Sequence, residues 1–225
     1  MEILTGLQRK FLSLFGNLPD NEAFYLTGGT ALSAFYLKHR QSYDLDFFTS
    51  VEGLILPFSQ KLEALLKKEE LGVERLRGFQ SFVELSVSSL NETTAIHFAL
   101  DFPFRFEQPS AAAEFPAIKI DSLLDIATNK VLALFGRAAL RDFVDVYFLL
   151  RDHFAKTELL EKSALKDPGF DVYWLGVSLE RMNDFSEDSA DMHLLTRPCS
   201  LQDLREFFAA WRKEIVENIT RGKQG

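Results

Sequence analysis

A chain of 225 residues has room for one large domain or two smaller ones. Its 47% hydrophobic and 26% charged residues exclude a disordered or collagen-like chain, and a single cysteine excludes a disulfide scaffold or a cysteine-based metal framework. The formal charge of −8 is spread along the sequence, which excludes a broad basic surface for nucleic acid; any such contact has to be local.

Over Met1–Phe15 the apolar residues Ile3, Leu4, Leu7, Phe11, Leu14 and Phe15 recur at helical spacing, which predicts an amphipathic helix and not a signal peptide. No run of 18 apolar residues occurs, so no membrane helix is expected, and the cytoplasm is the expected compartment. Phe24–Thr27 reads as a short strand ended by Gly28-Gly29, and Thr30–His39 as a helix. Asp44–Thr49 is strand-like and Pro57–Leu71 an amphipathic helix. Val73–Phe79, Ser81–Ser88 and Thr94–Phe102 read as successive strands, with turns at Gly78 and Leu90-Asn91-Glu92. Residues 103–120 hold Pro103, Pro109 and Pro116 and read as a long connector. Asp121 is the expected N-cap of a helix running to about Phe135, and a second helix covers roughly Ala138–His153. A third helix precedes the Asp167-Pro168-Gly169 turn, the acidic segment 183–191 reads as a loop, and a last helix covers Leu201 to about Thr220. The fold class is therefore α+β: a mixed sheet with flanking helices over residues 1–118, then an α-helical half over 119–225.

The chemistry concentrates in the first half. Gly28 and Gly29 lack Cβ atoms and let a ligand approach the backbone, and the following helix start and the Thr30 hydroxyl suit phosphate. With 12 Gly in the chain, one Gly-Gly pair is close to chance by itself. After a spacer of fourteen residues beyond Gly29, Asp44-Leu45-Asp46 puts two carboxylates on one face of a strand, an arrangement that calls for a cation; Mg²⁺ prefers such oxygen ligands. A third carboxylate is expected from a later strand. Asp101, in Phe98-Ala99-Leu100-Asp101-Phe102, is favoured over Glu84 in Phe82-Val83-Glu84-Leu85, because it closes its strand beside the Pro-rich connector. Three carboxylates could hold two Mg²⁺ ions about 4 Å apart, activating an attacking oxygen and steadying a leaving pyrophosphate.

The order of Gly-Gly, helix, Asp-x-Asp strand and later acidic strand resembles the nucleotidyltransferases of the DNA polymerase β superfamily. The block Arg40-Gln41-Ser42-Tyr43-Asp44-Leu45-Asp46-Phe47 and the run from Lys130 through Arg137 to Arg141-Asp142-Phe143-Val144-Asp145-Val146-Tyr147 resemble the AbiEii/AbiGii toxin family within it. With Asp101 between them, the motif blocks, 26–48 and about 121–151, span a little over half of the chain. The resemblance implies a metal-dependent enzyme that moves a nucleoside monophosphate from a nucleoside triphosphate to an acceptor hydroxyl. It implies a toxin of a toxin–antitoxin or phage-defence pair, an RNA acceptor such as tRNA and a cognate antitoxin. In that family the lysine and the last aspartate of the second signature belong to the active site, which carries over to Lys130 and Asp145. The expected roles are metal binding by Asp44, Asp46 and Asp101, with Asp101 also helping to activate the acceptor. Nucleotide binding is expected from Gly28, Gly29, Thr30, Ser42 and Arg141, and triphosphate neutralisation from Lys130 and Arg141.

Residues 126–141 also contain Lys130, Arg137 and Arg141 and no acid, a local +3 suited to a triphosphate. The alternative there is an Arg141–Asp145 pair on the helix surface, with Asp142 structural. Strand alternation puts His97 on the face of Asp101, near a site built around it. Two other functions stay open: a nucleotide-binding or protein-interaction module without turnover, and a kinase-like phosphoryl transfer at the same carboxylates.

Overall fold

The structure is a computed structural model and describes residues 2–101 and 104–222. Met1, and Phe102 and Pro103 where the last expected strand meets the expected connector, lie outside the described residues. The chain divides into two compact units, Met1–Leu123 and Leu124–Gly225.

The first unit opens with helix α1, Gly6–Phe15. Thr5 and Gln8 form a reciprocal cap: the Gln8 backbone N–H donates to Thr5 Oγ1 at 3.2 Å, and the Thr5 N–H to Gln8 Oε1 at 3.0 Å. Strand β1 is Tyr25–Thr27. Where one continuous helix was expected over 30–39, a single α-turn (α2, Gly28–Ala31) passes into a π-helical stretch, Leu32–Leu37, ended by Lys38 at φ +51°. Strand β2 (Leu45–Thr49) and helix α3 (Ile55–Lys68) follow, then strands β3 (Gly72–Gly78), β4 (Phe82–Ser88) and β5 (Thr93–Leu100).

The expected connector is a correction. It contains two short strands, β6 (Ser110–Ala111) and β7 (Lys119–Ile120), and β7 pairs in parallel with β1. Two residues are too few to show a period of two, so nothing in their composition betrays them. Among the described residues the sheet has seven strands in the order β3-β4-β5-β2-β1-β7-β6. β1 runs antiparallel to β2, and β2 parallel to β5.

Alternation decides which face of the sheet is buried. Leu45, Phe47, Val83, Leu85, Val87, Ile96 and Phe98 are fully buried, whereas Asp46, Phe48, Glu84 and His97 between them are only half-buried. The buried side is an aromatic cluster. Phe15 of α1 stacks on Phe47 at 4.3 Å between centroids, Phe58 of α3 lies 4.4 Å from Phe24, and Phe98 meets Phe15, Phe24, Phe47 and Phe58. Burying each such ring contributes about 1.5–3 kcal/mol. The less buried side of the sheet is left for polar residues.

The second unit is helical: α4 (Leu123–Gly136), α5 (Leu140–Asp152), α6 (Lys156–Lys166), α7 (Val172–Leu179), a 3₁₀ stretch Glu180–Asp184, α8 (Ala190–His193) and α9 (Leu201–Gly222). α7 has no counterpart in the sequence reading, because Val-Tyr-Trp-Leu-Gly-Val-Ser-Leu is apolar nearly all round and shows no stripe. Gly176 brings it close to α9: a Cβ there would sit 3.3 Å from Ile215 Cγ2. The expected loop over 183–191 is partly helical, since the 3₁₀ stretch ends in it and α8 begins in it. Phe143, Phe148, Leu175, Phe208 and Trp211 are the large side chains at the centre of this unit.

Two outcomes test this packing. Phe98→Ala should lower the unfolding free energy by about 3–5 kcal/mol in denaturant titration. Burial, and then the charge of Asp203, push the Cys199 thiol up to about 11. A raised thiol stays protonated until the pH climbs to that range, so alkylation of Cys199 should be slow at pH 8 and accelerate towards pH 11.

Candidate active site

Residues 41–44 run into β2 without being a strand, so their backbone groups need partners from elsewhere. Three consecutive carbonyls receive them from buried side chains. Gln8 Nε2 donates to the carbonyls of Ser42 and Tyr43, both at 3.0 Å. The Thr94 hydroxyl on β5 also donates to Tyr43, and the Thr30 hydroxyl donates to Asp44. This corrects the role expected of Thr30. It is fully buried and its hydroxyl faces the segment that carries Asp44, so it holds that segment and does not present itself to a phosphate.

Asp46 stands on the less buried face of β2, opposite Thr27 of β1 and His97 of β5. His97 Nδ1 donates to Asp46 Oδ1 at 2.8 Å. The other oxygen lies over Gly28, whose φ is +74°; a Cβ at Gly28 would overlap Asp46 Oδ2. At Gly29 a Cβ would come within 2.6 Å of an Arg40 guanidinium nitrogen and 3.0 Å of Ser42 Oγ. The two glycines therefore make room for the protein's own Asp46, Arg40 and Ser42. Arg40 is buried, with Nη1 donating to the Gln41 carbonyl at 3.0 Å. Sequence reasoning did not single it out, although it opens the block that ends in Asp44-Leu45-Asp46. Asp44 precedes the first residue of β2 and is half-buried; its carbonyl takes the Thr30 hydroxyl, and its carboxylate receives no hydrogen bond from the described residues.

His97 is surrounded by acid. Its hydrogen bond to Asp46 raises its pKa above the ordinary value; burial opposes this, and the charges of Asp46, Asp44 and Glu84 add to it. Glu84 Oε1 faces Nε2 at 3.9 Å, and Arg77 Nε holds the other Glu84 oxygen at 3.2 Å. A row of polar residues thus crosses the sheet: Arg77, Glu84, His97, Asp46 and Thr27.

Asp101 is not brought to this pair. The register sets Asp46 against His97, and roughly 3.3 Å per residue places Asp101 about 13 Å further along β5. There its carboxylate accepts from the Tyr25 hydroxyl and, at 3.2 Å, from Arg105 Nη1. Arg105 lies over the Tyr25 ring at 4.1 Å and also pairs with Asp121. Asp121, the expected N-cap, is fully buried, and its carboxylate accepts from Thr27 Oγ1 at 2.7 Å. Asp101 and Asp121 bind the start and end of the connector to the sheet. Among the described residues, no group of three or more His, Cys, Asp or Glu is placed to hold a metal ion. The donors present are the two carboxylates of Asp44 and Asp46. That set fits a Mg²⁺ ion whose remaining ligands are substrate phosphates and water, and it does not fit the three-carboxylate cage expected from the sequence.

In the second unit, Lys130 Nζ on α4 lies 2.7 Å from Asp145 Oδ2 and 3.8 Å from Asp142 Oδ1 on α5. Arg137 makes a two-pronged contact with Asp142, both bonds 2.8 Å. Both aspartates are fully buried. The local +3 of residues 126–141 is thus largely balanced by acids just beyond it, and Asp145 takes Lys130 where an Arg141 pair was the alternative. Arg141 itself is exposed.

The Gly28 geometry gives an expected outcome. Gly28→Ala adds a side chain at positive φ and displaces Asp46, so it should destabilise the fold by about 1–3 kcal/mol, read as a lower unfolding midpoint.

The chain is 28% identical over 218 residues to an uncharacterized protein of Aquifex aeolicus (strain VF5), covering 97% of this chain and all of that one. Its fold is similar to that of JHP933 from Helicobacter pylori, with TM-score 0.55 and 17% identity over 97% of this chain and 92% of that one. It is also similar to MenT4, a nucleotidyltransferase toxin of Mycobacterium tuberculosis H37Rv, with TM-score 0.62 and 18% identity over 93% and 85% of the two chains. Residues 10–219 match the family model described as nucleotidyl transferase AbiEii toxin, type IV toxin–antitoxin system. With nearly its whole length matched, this chain belongs to the AbiEii family of nucleotidyltransferase toxins.

Proposed function

We propose that the protein transfers a nucleoside monophosphate from a nucleoside triphosphate to a hydroxyl of an RNA acceptor, tRNA being the first candidate. The observation that carries this reading is the Asp44–Asp46 pair at the start of β2, beside the Gly28-Gly29 backbone, in a chain of a nucleotidyltransferase family. Asp44 and Asp46 would hold Mg²⁺ arriving with the triphosphate. The bound cation would supply charge neutralisation at the reacting phosphate and lower the cost of the developing pyrophosphate charge.

The bonds balance simply. The acceptor oxygen attacks the α-phosphorus, the bond to the bridging oxygen breaks, pyrophosphate leaves, and the hydroxyl proton passes to solvent. Ser42 Oγ and the Gly28-Gly29 backbone are the proposed phosphate neighbours, and buried Arg40 keeps that turn in shape. Lys130 and Asp145 enter the proposal through the second family signature, with Lys130 as a charge for the triphosphate, Asp145 orienting it, and exposed Arg141 as a further cation for the nucleotide. The type IV toxin–antitoxin family suggests an antitoxin partner. Among the described residues no helix is long and apolar enough to cross a membrane.

The test is product analysis with Mg²⁺, total bacterial tRNA and each of four α-labelled nucleoside triphosphates in turn. Label should move into RNA with one or more of them. Asp44→Ala with Asp46→Ala should reduce transfer to background while the circular dichroism spectrum stays unchanged. Unaltered transfer in that double variant would sink the mechanism. Nucleotide binding without transfer would favour a binding module, and nucleoside diphosphate as product would make it a kinase.

A further inference from the structure

The register of the sheet puts a histidine where the sequence reading expected a third carboxylate. His97 is the β5 residue paired with Asp46, and its Nδ1 lies 2.8 Å from Asp46 Oδ1. The ring is not loose. It stacks on Phe82 at 5.9 Å between centroids with 26° between planes, and Glu84 lies on its Nε2 side at 3.9 Å. Glu84 is in turn fixed by Arg77 at 3.2 Å. The second Asp46 oxygen lies close to Gly28, in the space that a Cβ would fill. One oxygen of the carboxylate is therefore held by β5, and the other faces the backbone at the start of α2.

We propose that His97 is a positioning residue for Asp46: its Nδ1–H, braced by Phe82 and Glu84, fixes the Asp46 carboxylate in the orientation that receives the divalent cation. The inference rests on the transferase reading for its consequence in turnover, and on the sheet register for its geometry. It distinguishes the two ring nitrogens. Nδ1 carries the function, and Nε2 only meets the brace. The general rule is that a partner holding a metal-binding side chain from behind matters nearly as much as the ligand, and its loss typically costs about 10–100-fold in metal affinity or activity.

That distinction makes the test specific. The amide nitrogen of Asn can reach the place of Nδ1, and that of Gln the place of Nε2. His97→Asn should therefore keep most of the function, whereas His97→Gln and His97→Leu should lose it. Two readouts are taken on the full chain. The first is the Mg²⁺ concentration that gives half-maximal nucleotide transfer, which should rise about tenfold or more in His97→Gln and His97→Leu and stay near wild type in His97→Asn. The second is binding of Mn²⁺ alone, followed by electron paramagnetic resonance, which needs no turnover and should show the same order. Unfolding midpoints check each variant; if His97→Leu does not fold, the Asn and Gln variants carry the comparison. Equal Mg²⁺ requirement and equal Mn²⁺ binding in the Asn and Gln variants would overturn the proposal. If the wild-type chain transfers no nucleotide, the transferase reading falls, and the Mn²⁺ order alone decides the role of His97.

Discussion

Three neighbouring carbonyls, those of Ser42, Tyr43 and Asp44, lie just ahead of β2, and each is satisfied by a buried side chain from another element. Leaving a buried carbonyl without a donor costs about 1–3 kcal/mol, so Gln8, Thr30 and Thr94 together fix the path of this segment. The side chains of Ser42 and Asp44 inherit their positions from it, and β2 then carries Asp46 onto the same face. The site is thus placed by backbone satisfaction before any of its charges is considered. Gln8 also closes the cap of α1, so one side chain couples a helix start to the approach of β2.

The acidic character of the face follows from the fold as much as from the chemistry. Leu45, Phe47, Ile96 and Phe98 drive their side of β2 and β5 into the aromatic cluster, and alternation leaves Asp46 and His97 on the other side. Asp46 takes a hydrogen bond from His97, and in the proposed reaction the cation would offset the like charges of Asp44 and Asp46. Asp101 and Asp121 share Arg105 as their counter-charge, away from the Asp44–Asp46 pair.

Most elements were legible because their burial is periodic: α1, β4, β5, α5 and α9 all show the stripe or alternation that their packing requires. The Asp-x-Asp pair was legible for the same local reason. What failed was nonlocal. Whether Asp46 faces His97 or Asp101 depends on the parallel register of β2 and β5, which no local pattern encodes, so the apolar surroundings of Asp101 drew the choice to it. Alternation within β5 had put His97 on the face of Asp101, and that much could be read, but not its pairing with Asp46. Thr30 was misread because the function of its hydroxyl depends on a carbonyl fourteen positions away. β6 and β7 are two residues each, below the length at which a pattern exists. Asp121 resembled a helix cap since it sits near the start of α4, yet its carboxylate is used by Thr27 and Arg105.

The strand order has a consequence for synthesis. β1 lies between β2 and β7, and β2 between β1 and β5, so the centre of the sheet is filled by strands that leave the ribosome far apart in time. Gly28 and Asp46 are made early, but His97 and Thr94 must be added before the carboxylate and its approach are held, and β7 before β1 has both neighbours. Parallel pairings of such long span form late, because the loop must close before the pairing stabilises it. A toxin arranged this way has no assembled centre while its N-terminal third is emerging. The interval between translation of β2 and docking of β5 is a period in which the nascent chain carries its carboxylates without the means to orient them.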